Sequence, residues 1–318
     1  MPAALHPTGE PVGRQLLDGS GVRRGALAPY LLGEDLHGVP RYVGRGPAPP
    51  TPYPWPMRIC RFTTGDDPRF GLVDGAGEKI AEISGDPLYT RIELTGETFE
   101  VEDVRLLAPV IPRSKVVAIG RNYADHVREM GSQLPTEPMM FFIPNTSVCG
   151  PGDPVVIPGF AQEISYEAEL AVVIGRVCKD VSAEDAKSVI LGYTVANDVT
   201  ARDLQRGDGQ WARAKGMDTF TPLGPWVETD LDVSDLRITA TVDGQVRQDG
   251  TTAEMIFGVA EIIAHASAAF TLLPGDVILT GTPAGVGPIT AGQRCVVEVE
   301  GIGSLSNPFV SADTSADD

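Results

Sequence analysis

Basic residues are scarce in this 318-residue chain, 25 Lys and Arg against 43 Asp and Glu. The formal charge of −18 opposes a nucleic-acid backbone or an anionic membrane surface as partner. Cysteine is equally sparse: Cys60, Cys149, Cys178 and Cys295 lie far apart in apolar surroundings with no C-x-x-C pair. That spacing gives no support to a zinc knuckle or a disulfide framework and suits a reducing cytoplasm. No apolar run reaches about eighteen residues, and the N-terminus lacks the basic-then-apolar order of a secretory signal, so neither a membrane span nor export is expected. The sequence shows no internal repeat.

The length suits one large domain, or one domain with a smaller companion, and 42% apolar with 21% charged residues is the composition of a soluble globular enzyme. Residues 1–56 differ in kind. They hold eleven of the 27 prolines and nine glycines, and are expected not to pack, either as a disordered extension or as the product of an upstream start ahead of Met57. They carry five Arg against four acidic residues, so the whole acidic surplus belongs to residues 57–318.

From 57 to 112, short alternating runs separated by Gly65-Asp66-Asp67, Asp74-Gly75 and Ser84-Gly85-Asp86 predict a small β-rich module without identifiable chemistry. A third region, 113–310, opens with an apolar strand over 115–120 and a short helix over 121–130. Strands are expected near 164–175, 190–198, 236–243, 277–281 and 294–300, with helices near 183–188, 200–205 and 254–269. This mixed order predicts an α+β, mainly β architecture rather than a doubly wound sheet. Residues 311–318 form an acidic tail expected to fray.

Glu167 and Glu169, in Tyr166-Glu167-Ala168-Glu169-Leu170, share one face of a strand because residues two apart point the same way. A solvated edge is the plain reading of such a pair. The strand, however, runs directly into the apolar Ala171-Val172-Val173-Ile174, and a hard divalent cation explains the pair better. Asp198 ends the apolar strand 190–198 and offers a third oxygen ligand, with an N-cap for the following helix as its alternative. Three carboxylates with no neighbouring His or Cys suggest Mg²⁺ or Mn²⁺.

His126 and Glu129 lie three apart on the predicted 121–130 helix and can touch. They read either as an ordinary surface pair or as a general base. His6 and His37 fall in the Pro-rich segment and His265 in an apolar helix, which leaves His126 the best catalytic candidate. Lys215 sits among small and apolar residues, a snorkelling lysine or an oxyanion-stabilising cation. The glycine-rich Thr280-Gly281-Thr282-Pro283-Ala284-Gly285-Val286-Gly287 fits neither a dinucleotide fingerprint nor a P-loop. Its amides with the Thr282 hydroxyl can instead hold a carboxylate.

As an ordered set, Ala118-Ile-Gly-Arg-Asn-Tyr-Ala-Asp-His126, Tyr166-Glu-Ala-Glu-Leu170, Asn197-Asp-Val-Thr-Ala-Arg-Asp203, Lys215-Gly-Met-Asp-Thr-Phe220 and the 280–287 loop resemble the fumarylacetoacetate hydrolase family over about residues 113–310. The resemblance implies a β-roll of mixed sheets in a homodimer. It implies Glu167, Glu169 and Asp198 as metal ligands, Lys215 as an enolate-stabilising lysine, and His126 with Glu129 as a dyad on a mobile lid helix. Arg121, Arg202, Gln205 and Thr282 match substrate-holding positions. One departure is Ile143, which stands where many members carry a lysine, so a substrate charge met there in relatives is unmet or met elsewhere.

The implied reaction is metal-dependent C–C hydrolysis or decarboxylation of a small 2-oxo acid, acylpyruvate- or oxaloacetate-like, through a pyruvate enolate. Isomerisation or tautomerisation of a 2-hydroxydienoate is the alternative, and a non-catalytic ligand-binding relative a third.

Overall fold

The structure, a computed structural model, describes residues 33–34, 40–41, 56–65 and 67–312. Within residues 1–45, which form a unit of their own, Gly33–Glu34 pairs antiparallel with Pro40–Arg41. The unpacked extension expected over 1–56 otherwise lies outside the described residues, as do His6, His37 and residues 313–318 of the tail. Ser311 is not tail: it closes the Gly303–Ser311 strand and pairs with Ile157.

The apolar run 168–174 is the spine of the second unit, because its two faces enter two different cores. Leu170, Val172 and Ile174 join one apolar cluster, Ala171 and Val173 another. Such double-sided burial replaces the polar–apolar alternation of an exposed strand with a continuous apolar string. The Ala168–Ile174 strand pairs antiparallel with Ile190–Asn197 on one side and Val277–Leu279 on the other. Among the described residues these strands belong to a twelve-stranded sheet. Val277–Leu279 continues it to Val116–Gly120 and then Met139–Ile143, while Ile190–Asn197 continues it to Thr221–Glu228.

The sheet does not stop at the N-terminal module. Arg58–Thr63 pairs with Thr221–Glu228, reinforced by an Arg58–Glu228 ion pair at 3.0 Å, and leads into the meander Arg69–Val73, Lys79–Ile83 and Leu94–Glu100. A five-stranded sheet, built on Arg237–Val242, Gln245–Thr251, Arg294–Val299 and Gly303–Ser311 with Val155–Ile157 at its edge, supplies Ile238, Ala240, Val297 and Val299 to the core of Leu170 and Val172. The fold is mainly β with mixed sheets, as expected.

The helix limits differ from those the sequence suggests. α1 spans Ala124–Glu129 and not 121–130. Arg121 takes φ 59°, a left-handed conformation that no helix continues through. α2 is Arg202–Asp208, α3 Ala212–Lys215 and α4 Val259–Ala269. Near 183–188 there is only a 3₁₀ turn, Ala186–Val189. The strand expected over 164–175 is broken at Tyr166–Glu167, between Ile164–Ser165 and Ala168–Ile174. No helix among the described residues is long and apolar enough to cross a membrane.

Candidate active site

Period two carries Glu169 onto the same face as Ala171 and Val173, so burial of the strand drags a carboxylate inside with it. Glu167 precedes the strand and is fixed by its own backbone: its N–H donates to Asn197 Oδ1 at 2.9 Å, and its carbonyl accepts from Asp198 N at 2.9 Å. This bond stations Asp198 opposite the glutamates just past the end of Ile190–Asn197. Asp198 is no helix cap, since α2 starts after Ala201. All three carboxylates are buried, with ligand oxygens within 4.8 Å of one another.

Two cations face them. Lys215, 3% exposed, donates to Glu167 Oε2 at 2.8 Å, Asp198 Oδ2 at 2.6 Å and Thr200 Oγ1 at 2.7 Å. It is not a snorkelling surface lysine. Arg202 donates to Glu167 Oε1 and, at 2.9 Å, to Gln205 Oε1. Glu169 receives Gly281 N–H at 2.7 Å. Gly281 has φ +97°, and a Cβ there would lie 2.7 Å from Asn122 Cβ, so glycine is what allows this approach.

Burial raises the cost of every charge here, and the neighbours divide the outcome. Glu167 overcomes burial through Lys215 and Arg202 and is held down at about 2. Asp198 is pushed up to about 6 by burial, with the charge of Glu167 adding to it and Lys215 opposing. Glu169 is raised well above the usual carboxylate range by burial and then by the charges of Asp198 and Glu167. Lys215, despite burial, is held above its ordinary value by Asp198 and Glu167.

With all three carboxylates ionised, as metal ligation requires, the two cations leave one negative charge over, and Asp198 Oδ1 is buried without a partner. An all-oxygen donor set with an orphaned carboxylate atom fits a hard divalent cation such as Mg²⁺ or Mn²⁺.

These groups line a cavity of about 300 Å³ together with Arg121, His126, Gln205 and Thr282. Glu129 is the one site candidate set apart, on a neighbouring cavity of about 460 Å³ that shares Met130, Arg202 and Arg206 with the first. His126 Nδ1 faces Glu129 Oε2 at 3.5 Å: close enough for charge pairing, too long for a hydrogen bond, so Nδ1 stays unpartnered. Glu129 Oε2 in turn accepts from Gly285 N at 3.2 Å. His265 is half-buried on α4 and lines neither cavity.

Ile143 is 2% exposed, packs in the core beside Val116 and Ala171, and is not among the cavity walls. In this chain the position is a core side chain and contributes nothing to the cavity wall. Four residues have a role that the sequence does not show: Phe141 and Trp211, whose rings meet edge-on at 5.1 Å, Phe141 beside the lysine, and Asn122 and Gln248, whose buried amides tie the site's loops together. Asn122 lies inside a recognised string, but its role needed the 280 loop brought alongside it.

Comparison with known proteins places the sequence and the fold in a family. Residues 115–310 match the family described as fumarylacetoacetate (FAA) hydrolase C-terminal, and 57–109 the one described as Rv2993c-like, N-terminal. Protein Rv2993c of Mycobacterium tuberculosis is 50% identical over 262 residues, covering 80% of this chain and 98% of that protein. The mitochondrial oxaloacetate tautomerase fahd2 of Xenopus laevis is 43% identical, covering 80% and 90%. Among solved structures, 2-hydroxyhepta-2,4-diene-1,7-dioate isomerase from Mycobacterium marinum superimposes with TM-score 0.75 at 47% identity, covering 80% and 99%. Maleylpyruvate hydrolase from Sphingobium sp. SYK-6, in complex with manganese(II) and pyruvate, does so with TM-score 0.67 at 31% identity, covering 80% and 99%.

Proposed function

The chain belongs to the fumarylacetoacetate hydrolase family, and from that premise we propose that it is a divalent-metal-dependent enzyme cleaving the C3–C4 bond of small 2-oxo acids. The substrates are acylpyruvates, or oxaloacetate by loss of CO₂. The observation that carries this reading is the buried Glu167, Glu169 and Asp198 cluster, with Lys215 on it, His126 lining the same cavity and Glu129 facing His126 from the neighbouring one.

Glu167, Glu169 and Asp198 would hold Mg²⁺ or Mn²⁺, which when bound supplies Lewis-acid polarisation of the 2-oxo and carboxylate oxygens of the substrate. The side chains do the rest. Arg121, Arg202 and Gln205 orient the anionic end of the substrate, and Arg202 is already held in place by Glu167 and Gln205. His126 takes a proton from water, and Glu129 opposite Nδ1 steadies the imidazolium that results. The hydroxyl oxygen adds to the 4-carbonyl, the C3–C4 bond breaks, and its electron pair passes into the 2-oxo group as a pyruvate enolate. Lys215 brings an ammonium to the oxygen where that charge gathers. Protonation at C3 releases pyruvate, so one water is consumed for one carboxylate and one pyruvate. With oxaloacetate the same electron pair is left by departing CO₂, and no water is needed.

Keto–enol tautomerisation or double-bond isomerisation is a second reading, supported by the relatives named as a tautomerase and an isomerase. It shares the enolate and differs only in the fate of C3. The decisive experiment is a panel of an acylpyruvate, oxaloacetate and a 2-hydroxydienoate with Mg²⁺ or Mn²⁺, using wild type, Glu167→Ala and His126→Ala. C–C cleavage that survives in Glu167→Ala rejects the metal reading. Rapid enol–keto exchange in wild type without cleavage replaces the first reading by the second. A cytoplasmic homodimer is part of this proposal, checked by light scattering of the purified chain.

A further inference from the structure

The ladder between Ala168–Ile174 and Val277–Leu279 registers only residues 171–173 against 277–279. Beyond it, toward the carboxylates, the main-chain edge of residues 168–170 has no strand beside it, although Ala168, Glu169 and Leu170 are fully or almost fully buried. Buried backbone groups must find partners. Leu170 O accepts from Thr280 N at 3.1 Å and Thr280 Oγ1 at 2.8 Å. Ala168, which lies between the two glutamates, is served by side chains alone on this edge.

Its N–H donates to Gln248 Oε1 at 2.9 Å, and its carbonyl accepts from Thr282 Oγ1 at 2.9 Å. Gln248 Nε2 then donates to Thr282 Oγ1 at 2.7 Å and to Pro283 O at 2.8 Å. Ala168, Gln248 and Thr282 thus close a ring of three hydrogen bonds in which every proton has one direction. Gln248 is 0% exposed on a strand, Gln245–Thr251, whose residues 245–247 and 249 are exposed. It comes from the five-stranded sheet and reaches no cavity wall.

We propose that Gln248 is a positioning residue for the carboxylate cluster, fixing the Glu167–Glu169 segment and the Thr282 turn in one register through Ala168. Both amide hydrogens are used, so no apolar side chain of similar size satisfies Ala168 N and Pro283 O together. The ring also commits the Thr282 proton to Ala168 O, so the hydroxyl offers the cavity an acceptor and not a donor. In any role Thr282 plays toward substrate, Gln248 sets that polarity. The inference rests on the metal reading above.

The test is Mn²⁺ binding to the purified full-length chain, by calorimetry and by the electron paramagnetic resonance signal of free Mn²⁺, with melting temperature recorded in parallel. Gln248→Met and Thr282→Val are each expected to weaken Mn²⁺ binding by about tenfold or more, as loss of a group orienting a metal ligand does. Thr282→Ser, which keeps the ring, is expected to stay within about twofold of wild type. The double variant is expected to be no weaker than the worse single one, because the ring is already open in either. Equal Mn²⁺ affinity in wild type and Thr282→Val, or effects that add in the double variant, overturn the proposal. So does a Gln248→Met protein that melts earlier yet binds Mn²⁺ as wild type does. Should Gln248→Met fail to fold, the Thr282→Val and Thr282→Ser comparison decides alone. A wild type that takes up no Mn²⁺ overturns the metal reading and this inference with it, whereas unchanged variants of a Mn²⁺-binding wild type overturn only the role of Gln248.

Discussion

Lys215 Nζ stands 2.6 Å from Asp198 Oδ2 with both side chains almost wholly removed from solvent. A buried ammonium in such contact is stable only while its carboxylates are present, and the converse holds for them. Lys215→Met would leave Glu167 and Asp198 without their shared cation. We expect the metal-free variant to lose about 3–5 kcal/mol in urea unfolding, with turnover abolished. Excess Mn²⁺ is expected to restore part of the lost stability, since it binds only the folded chain.

Metal removal in wild type gives the companion result. Saturating Mn²⁺ at about 100 times its dissociation constant should raise unfolding free energy by about 2.7 kcal/mol, and chelation should return the melting temperature to the metal-free value. A melting temperature indifferent to both would contradict the assignment of Glu167, Glu169 and Asp198.

The pH dependence of the metal-free protein follows from the directions of the carboxyl shifts. Asp198 moves from 3.8 to about 6, so between those values the folded chain keeps a proton that the unfolded chain has released. Its stabilising contribution is fully present below 3.8 and is lost as pH rises through about 6. Glu167 moves the other way, from 4.5 to about 2, and its contribution is present above 4.5 and lost as pH falls through about 2. Glu169, also raised, contributes in the same direction as Asp198, so urea unfolding across this range should show a decline on the upper side of 3.8 that Asp198→Asn reduces and does not abolish. Because ligation needs the ionised form, Mn²⁺ uptake at pH 5 should release protons, detectable as a dependence of calorimetric heat on buffer.

His126→Ala should separate chemistry from assembly. We expect C–C cleavage to fall by about 10²–10⁴-fold, the range of general-base catalysis. Mn²⁺ affinity should stay near that of wild type, because no hydrogen bond links His126 to the three carboxylates. A parallel loss of Mn²⁺ binding would show that His126 acts on the metal site itself.

Gly281→Ala tests the close approach of the 280 loop. A methyl group 2.7 Å from Asn122 Cβ and 3.3 Å from Ile119 O, at φ +97°, must push the loop outward. A cost of about 1–3 kcal/mol is expected from such overpacking. Because Gly281 N holds Glu169 Oε2, weaker Mn²⁺ binding should accompany the lower melting temperature.

Period-two spacing and the abrupt change from charged to apolar residues mark Glu167 and Glu169, although Glu167 lies just ahead of the strand and is stationed by its bonds to Asn197 and Asp198, and the position of Asp198 at the end of an apolar strand marks the third carboxylate. These are local properties of strands, and they survive whatever packs around them. The ordered strings identified the family, and alternating runs identified a mainly β chain. Helix limits are less legible: nothing local in Arg121-Asn122-Tyr123 announces that Arg121 is held at φ 59°, and the helix begins three residues later than the spacing predicts.

What only the tertiary structure decided is long-range in every case. Thr221–Glu228 joins the N-terminal meander to the main sheet through partners about 170 residues distant in sequence. Gln248 meets Ala168 across 80 residues and Thr282 across 34. Ile143, which in the sequence reads as a missing charge, proves to be a core side chain. Side-chain direction along one strand is set by the chain's own geometry, and so it can be read from spacing. Which buried amide satisfies which orphaned N–H depends on where two sheets come to rest against each other, and that is fixed only when their apolar faces pack.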